Sequence, residues 1–404
     1  MKCIFFANTD WYLYNFRLAT ALRLQADGHE VIMVSPPGDF GGRFAAHGLR
    51  WVTLPMNRAS LNPLREAATW WHLLKILRRE RPDLLHSFTV KCAIYGALAA
   101  RAANVPAVVN AVAGMGYVFT SDNFKARALR PLVKALLRAS LGGAHAILIL
   151  QNPDDAAAFT ESGLVKPDRI RVIRSSGVDT TRFQPVAPPR AGDGRLRVLL
   201  AARLLWEKGL QEFADAARLL RDEGRDVEFV LAGMPDSGNP HSVDATQVQQ
   251  WADAGLLQWL GHVDDMPALL NSVDVMALPS YYREGVPKCL IEAAACGLAI
   301  VTTDRPGCRE VVTRHGVDGL RVGVRDAREL ADRISALDDD RELLSRLGRR
   351  ARERALADFD ERMVIQRTVD VYAELMPSDE RATQVVRPMQ TESPVRPSPN
   401  SAPK

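Results

Sequence analysis

Gln184-Pro185-Val186-Ala187-Pro188-Pro189-Arg190-Ala191-Gly192-Asp193-Gly194 is followed almost at once by Arg197-Val198-Leu199-Leu200-Ala201, and the change of texture divides the chain. Prolines and glycines packed this densely build neither helix nor sheet, so the first run reads as a linker and the second as a fresh strand. Upstream, short apolar runs alternate with longer amphipathic ones, the pattern of βα units feeding a parallel sheet. Candidate strands there are 2–7, 30–34, 84–86, 107–110, 144–150 and 171–173, with helices over 14–25, 64–79 and 91–102. Downstream the alternation resumes, with strands at 197–201, 227–232, 257–260, 273–278 and 299–302. From Arg328 to Met376 the pattern is helical, broken at Asp358-Phe359-Asp360, where a helix N-cap fits. The expected organisation is an amino-terminal domain over 1–185, a linker at 186–195 and a second domain over 196–357. A helix over 358–376 returns to the first domain, and the Pro-, Ser- and Thr-rich tail at 377–404 is disordered.

Bulk properties agree with two ordinary domains. At 404 residues the chain exceeds the ~250–300 at which one core stops growing. A formal charge of +4 is small for this length and argues against a nucleic-acid partner. The five cysteines form no CxxC pair and are odd in number, so neither a zinc site nor a disulfide framework is indicated and a reducing cytoplasm fits. No apolar run is long enough for a signal peptide or a membrane span, leaving peripheral contact with the inner face of the plasma membrane as the only membrane association expected.

Open α/β sheets bind ligands at the carboxyl ends of their strands, so polar groups there carry the functional reading. The strand ending at Ala201 runs into Ala202-Arg203-Leu204-Leu205-Trp206-Glu207-Lys208-Gly209, which puts two cations in one loop ahead of a helix N-terminus. This is suited to a diphosphate, although two solvated surface cations would look the same. After the 273–278 strand comes Ser280-Tyr281-Tyr282-Arg283-Glu284-Gly285-Val286-Pro287-Lys288-Cys289-Leu290-Ile291-Glu292. Pro287 fits a first helical turn, whose amides would face an anion without needing a metal. Glu292 falls about one and a half turns into that helix, so the two carboxylates serve different parts of one elongated ligand.

The spacing Glu284-x(7)-Glu292, with Arg203 and Lys208 on an earlier strand end, resembles the signature of retaining glycosyltransferases of the GT-B fold, over nearly the whole chain to Met376. That resemblance implies two Rossmann-like, doubly wound α/β domains with a cleft between them, the first for the acceptor and the second for a nucleotide sugar. It implies Glu284 beside the donor sugar, Glu292 on the nucleotide ribose, and Arg203 and Lys208 on the diphosphate. It also implicates Val263 and the stretch Gly285, Val286, Lys288, Cys289 and Leu290, whose amides follow the first glutamate. Gly261-His262-Val263-Asp264-Asp265-Met266 and Thr303-Asp304-Arg305-Pro306-Gly307-Cys308-Arg309-Glu310 resemble a bacterial subset that builds O-antigen, capsule and lipid-linked oligosaccharides from UDP-sugars. The implied reaction is retaining transfer of a hexose or N-acetylhexosamine from a UDP-sugar to a glycan hydroxyl, on a polyprenyl-diphosphate-linked acceptor.

Two departures stand out. The family often has Phe-Gly after the Glu-Gly pair, where this chain has Val286-Pro287, and its amino-terminal Gly-rich acceptor loop is replaced by Asn8-Thr9-Asp10-Trp11-Tyr12. No DxD motif sits at a strand end, and Asp264-Asp265 reads as a helix N-terminus, so neither a metal nor another cofactor is expected. In the first domain the strand ends offer Asn8, His86, Lys91 and the turn Gly114-Met115-Gly116 to an acceptor, while a histidine there is as readily a satisfied buried group. Residues 124–138 carry five cations and no acid, which fits an anionic membrane surface or a surface helix with solvated charges. Rival functions are an isomerase like UDP-N-acetylglucosamine 2-epimerase, whose pattern is not found here, and a non-catalytic sugar-nucleotide-binding partner in a polysaccharide assembly complex.

Overall fold

The computed structural model describes residues 1–57, 60, 62–112, 124–141, 143, 145–186, 194–236 and 239–376, with backbone alone at 124–130 and 132. Gly114, Gly116, most of the linker and the 377–404 tail lie outside the described residues. Among the described residues two parallel sheets are present. The first has seven strands: β1 (Lys2–Phe6), β2 (Glu30–Ser35), β3 (Arg50–Thr53), β4 (Leu84–Phe88), β5 (Ala107–Val112), β6 (Ala146–Leu150) and β7 (Ile170–Val172), in the order β3-β2-β1-β4-β5-β6-β7. The second has six: β8 (Leu196–Ala201), β9 (Val227–Ala232), β10 (Gln258–Gly261), β11 (Val275–Leu278), β12 (Ala299–Thr303) and β13 (Leu320–Val322), ordered β10-β9-β8-β11-β12-β13. Both orders reverse direction once, between β1 and β4 and between β8 and β11, and such switch points open a crevice at the strands' carboxyl ends. These are the two Rossmann-like α/β units expected from the sequence.

The strands form because apolar, β-branched runs are buried on both faces. Ile4, Phe6, Ile32 and Val34 pack to one side of the first sheet and Cys3, Phe5, Val31 and Met33 to the other. Helices begin where a side chain can satisfy the free amides of the first turn. Thr9 Oγ1 accepts from Tyr12 N at 3.1 Å, so the first helix, Asp10–Ala26, starts four residues before the expected 14. Asn62 caps Pro63–Glu80, and Asn152 Oδ1 accepts from Asp155 N at 2.8 Å to open Pro153–Glu161. Asp265 caps the short helix Met266–Leu270, the structural use read for it in the sequence.

The helix Arg341–Asp358 ends at its C-cap Phe359, and Asp360 caps Glu361–Leu375. This last helix buries Val364, Ile365, Val369 and Tyr372 in the core cluster that holds Cys3, Phe5 and Phe88 of the first sheet. It is tied there by backbone bonds on both sides of Val178, from Val178 N to Phe359 O and from Glu361 N to Val178 O. Over the helix Phe124–Leu141, Leu137 and Leu141 are buried and Arg138 donates to the carbonyls of Ser162 and Gly163, so its carboxyl-terminal half packs as a surface helix. Among the described residues no helix is long and apolar enough to cross a membrane.

Candidate active site

At the β8/β11 switch point the two loops singled out in the sequence meet. Lys208 Nζ lies 2.5 Å from Glu284 Oε1, with both side chains largely buried. Burial alone pulls the Lys208 ammonium down, but the Glu284 carboxylate outweighs it and the net shift is upward, so Lys208 stays charged. Ser280 Oγ stands 3.0 Å from Glu284 Oε1 and 2.9 Å from the Glu207 carbonyl, and Tyr281 N donates to that carbonyl at 3.1 Å. The loops after β8 and β11 are thereby sewn together. Arg203, on the same loop as Lys208, is more than half exposed and donates to Asp236 Oδ2 at 2.5 Å.

Pro287 precedes the helix Lys288–Ala295, whose first-turn amides at Lys288 and Cys289 have no intrahelical acceptor. Leu290 N is bonded to Pro287 O and Val286 N to Gln151 Oε1 of the first domain at 2.9 Å, so these two amides of the implied set already have protein acceptors. Glu292 lies in the second turn, with Lys288 Nζ at 3.9 Å. Burial lifts its carboxyl to about 7 against the lowering effect of Lys288 and Arg182, while burial pulls the Lys288 ammonium down. Cys289 stands in the field of both glutamates, and its thiol is pushed up to about 12, chiefly by burial. The two carboxylates thus flank one residue yet keep separate partners, Lys208 for Glu284 and Lys288 for Glu292. Val263, just past β10, packs half-buried against the core under this helix.

In the first domain, Asn8 follows β1 and His86 lies in β4, either side of that sheet's switch point. His86 is 1% exposed, and its Nδ1 is 2.6 Å from the Tyr372 hydroxyl of the final helix. Burial first, then Arg17, drives its pKa well below the ordinary value, which makes it a neutral imidazole. Its Nε2 is buried with no partner among the described residues, and the residue lines a cleft with Tyr12, Arg17, Gln151 and Ser175. Lys91 is not brought to it. Its ammonium lies 2.7 Å from Glu66 and donates to the carbonyls of Asn57 and Ser60, which makes it an anchor for the loop before the helix Pro63–Glu80.

Residues 195–340 match the family model described as glycosyl transferases group 1, and residues 15–175 match a glycosyl transferase 4-like domain. The N,N'-diacetylbacillosaminyl-diphospho-undecaprenol alpha-1,3-N-acetylgalactosaminyltransferase of Campylobacter jejuni is 31% identical over 382 residues, 92% of this chain and 98% of that one. This chain belongs to the group 1 glycosyltransferases. The UDP-Gal:alpha-D-GlcNAc-diphosphoundecaprenol alpha-1,3-galactosyltransferase of Escherichia coli is 26% identical to it, over 81% of this chain and 84% of its own. Among solved structures, Anabaena HepE in complex with UDP superposes with a TM-score of 0.74 at 20% identity, covering 93% of this chain and 100% of that one. Sucrose-phosphate synthase from Thermosynechococcus elongatus does so at 0.77 and 20%, over 93% and 99%. The glycosyltransferase has the GT-B fold.

Several of its site-forming residues escape sequence reading. Gly307, at φ +84, lies against the Glu284 loop so closely that a Cβ would meet Gly285 O at 1.6 Å. Gly209, at φ +81, meets Pro279 O in the same way at 2.3 Å. Thr303 Oγ1 donates to Ser280 O at 2.5 Å, and Arg283 Nε pairs at 2.9 Å with the buried Asp155 of the first domain. The Thr303–Glu310 stretch carries a family resemblance, but its bracing role depends on β12 lying beside β11, which spacing alone does not reveal. Arg17, Gln151 and Tyr372 had no signal, because the groups that give them meaning are far away in sequence.

Proposed function

We propose that this glycosyltransferase moves a hexose or N-acetylhexosamine from a UDP-sugar, with retention at the anomeric carbon, to a hydroxyl of a polyprenyl-diphosphate-linked glycan in bacterial surface polysaccharide or glycan assembly. The buried Lys208–Glu284 pair at the second sheet's switch point carries this reading. As the glycosidic bond breaks, negative charge grows on the leaving UDP phosphate, and preorganised cations stabilise that charge at little reorganisation cost. Lys208 is already charged and fixed there. Arg203 reaches the same phosphates by exchanging Asp236 for them, which its exposure permits, and the Lys288 and Cys289 amides add the positive end of their helix. Glu284, held by Lys208 and Ser280, orients sugar hydroxyls, and Glu292 binds the ribose. No covalent nucleophile is assigned. With this cation set neutralising the leaving group, the transfer needs no metal.

The acceptor enters from the first domain past Asn8 and His86. Two curated relatives are named for acceptors in which a sugar is joined to undecaprenol through a diphosphate, which supports the same acceptor class here. Peripheral attachment to the inner face of the plasma membrane through 124–138 brings the enzyme to such a substrate. Incubating purified enzyme with labelled UDP-sugars and polyprenyl-diphosphate-linked acceptors, with and without EDTA, tests the proposal. Product formation that survives chelation is expected; turnover abolished by EDTA removes metal independence, and UDP-sugar binding without transfer to any acceptor favours the non-catalytic partner.

A further inference from the structure

Arg17 has no part in the donor site, yet it is 7% exposed and no carboxylate among the described residues pairs with it. Its guanidinium lies over the rings of Phe88, at 4.5 Å, and Tyr12, at 5.5 Å, and Nη2 donates to the Tyr12 hydroxyl at 2.8 Å. Its Nε is buried with no acceptor. A buried charge left without a counter-charge is costly, and a guanidinium presents a planar fork that matches phosphate oxygens. Among the described residues the cleft it lines holds no acid: its other polar lining is Tyr12, His86, Gln151, Ser175 and Thr368. His86 adds a second donor. The Tyr372 hydroxyl lies 2.6 Å from Nδ1 and has no other described partner; with that hydroxyl as donor, the neutral ring carries its proton on the buried, unpartnered Nε2.

We propose that Arg17, with His86 Nε2, forms an anion subsite on the first-domain side of the cleft that holds the phosphate next to the acceptor's reacting sugar. The subsite adjoins the donor loop, because Gln151 lines the cleft and accepts from Val286 N at 2.9 Å. The donor's own diphosphate is assigned to the other sheet, at Arg203 and Lys208, so a second anion site at this point suits the diphosphate one sugar ring from the new bond. The proposal rests on the transfer reading given above and fixes where the acceptor's charge is held.

The test uses full-length enzyme and the variants Arg17→Met and Arg17→Lys. KM is measured for an N-acetylglucosamine diphosphate on a short prenol and for the same sugar as a phosphate-free octyl glycoside, and UDP affinity by calorimetry. Losing a charge-assisted fork is expected to raise the diphosphate KM at least about ten-fold in Arg17→Met, with a smaller rise in Arg17→Lys. The octyl glycoside KM and UDP affinity should be unchanged. Equal losses on both acceptors, or a parallel loss of UDP affinity, would overturn the proposal. Thermal protection by farnesyl diphosphate is read alongside, without turnover. Protection lost in Arg17→Met supports the subsite even if no acceptor is glycosylated, which would sink the transfer reading alone. Equal protection of both proteins overturns the subsite, and Arg17-dependent protection by inorganic pyrophosphate as strong as that by farnesyl diphosphate overturns its assignment to the acceptor. Should Arg17→Met fail to fold, Arg17→Lys carries the same comparisons.

Discussion

Lys208 and Glu284 form a mutually dependent pair, so removing the cation has two consequences. Lys208→Met leaves the Glu284 carboxylate without its nearest charge and takes a cation from the leaving phosphate. A fall in kcat of about 10²–10³, the usual cost of one preorganised donor, is expected together with weaker UDP binding by calorimetry; unchanged UDP affinity would remove Lys208 from the diphosphate site. Glu292 gives a pH-dependent counterpart. Its carboxyl titrates at about 7 in the fold against an ordinary 4.5, so the folded chain holds this proton more tightly than the unfolded one. The stability this gives is full below the unfolded value and is lost as pH rises through about 7. Glu292→Gln, which mimics the protonated form, should therefore stabilise the enzyme at pH 8, on the order of 1–3 kcal/mol, and hardly at about pH 4, below the unfolded value, while weakening UDP binding at pH 8. Thermal melts at the two pH values decide this. That Arg203, Lys208, Glu284 and Glu292 stand at strand ends or in the helix just beyond was legible in the sequence, because those ends follow from apolar periodicity. Arg17 and Gln151 were not, since nothing local marks a residue whose cleft is built by distant strands or whose partner is an amide 135 residues away.

At the scale of elements, the Glu284 loop is shaped from behind. The turn after β12 presses Gly307 onto Gly285 O, and the loop after β8 presses Gly209 onto Pro279 O. Gly307→Ala would put a Cβ inside that contact and force an L-residue into a left-handed conformation, at a cost of about 1–2 kcal/mol before the loop moves. The expected outcome is a modest loss of melting temperature with a much larger loss of kcat/KM; equal and small changes in both would show that the loop does not depend on this brace. The central strands of both sheets were readable because they are continuous apolar runs. The edge strands β3 and β13 were missed, being only four and three residues long and carrying arginine. Their assignment comes from pairing with β2 and β12, a tertiary fact.

Across the whole molecule, contacts between the two halves converge on the site. Arg283 pairs with Asp155, Arg174 Nε donates to Glu310 at 2.6 Å, Lys288 Nζ donates to Asn15 O at 3.0 Å, and the last helix brings Tyr372 to His86. Breaking a buried pair is costly because it strands one charge. Asp155→Ala is expected to lower stability by about 3 kcal/mol and to reduce kcat/KM for acceptor more than UDP affinity, since Lys208 and Glu292 stay in place; urea denaturation and calorimetry check the two parts, and a larger loss in UDP binding would contradict the cross-domain role. The sequence foretold two α/β units but not this convergence, which depends on how far the second sheet is turned toward the first. Proton NMR of the first product formed from an α-linked UDP-sugar and a polyprenyl-diphosphate-linked acceptor tests the central claim most directly. An α anomeric signal on the extended acceptor is the expected result; a β signal, or no product from any UDP-sugar, contradicts it.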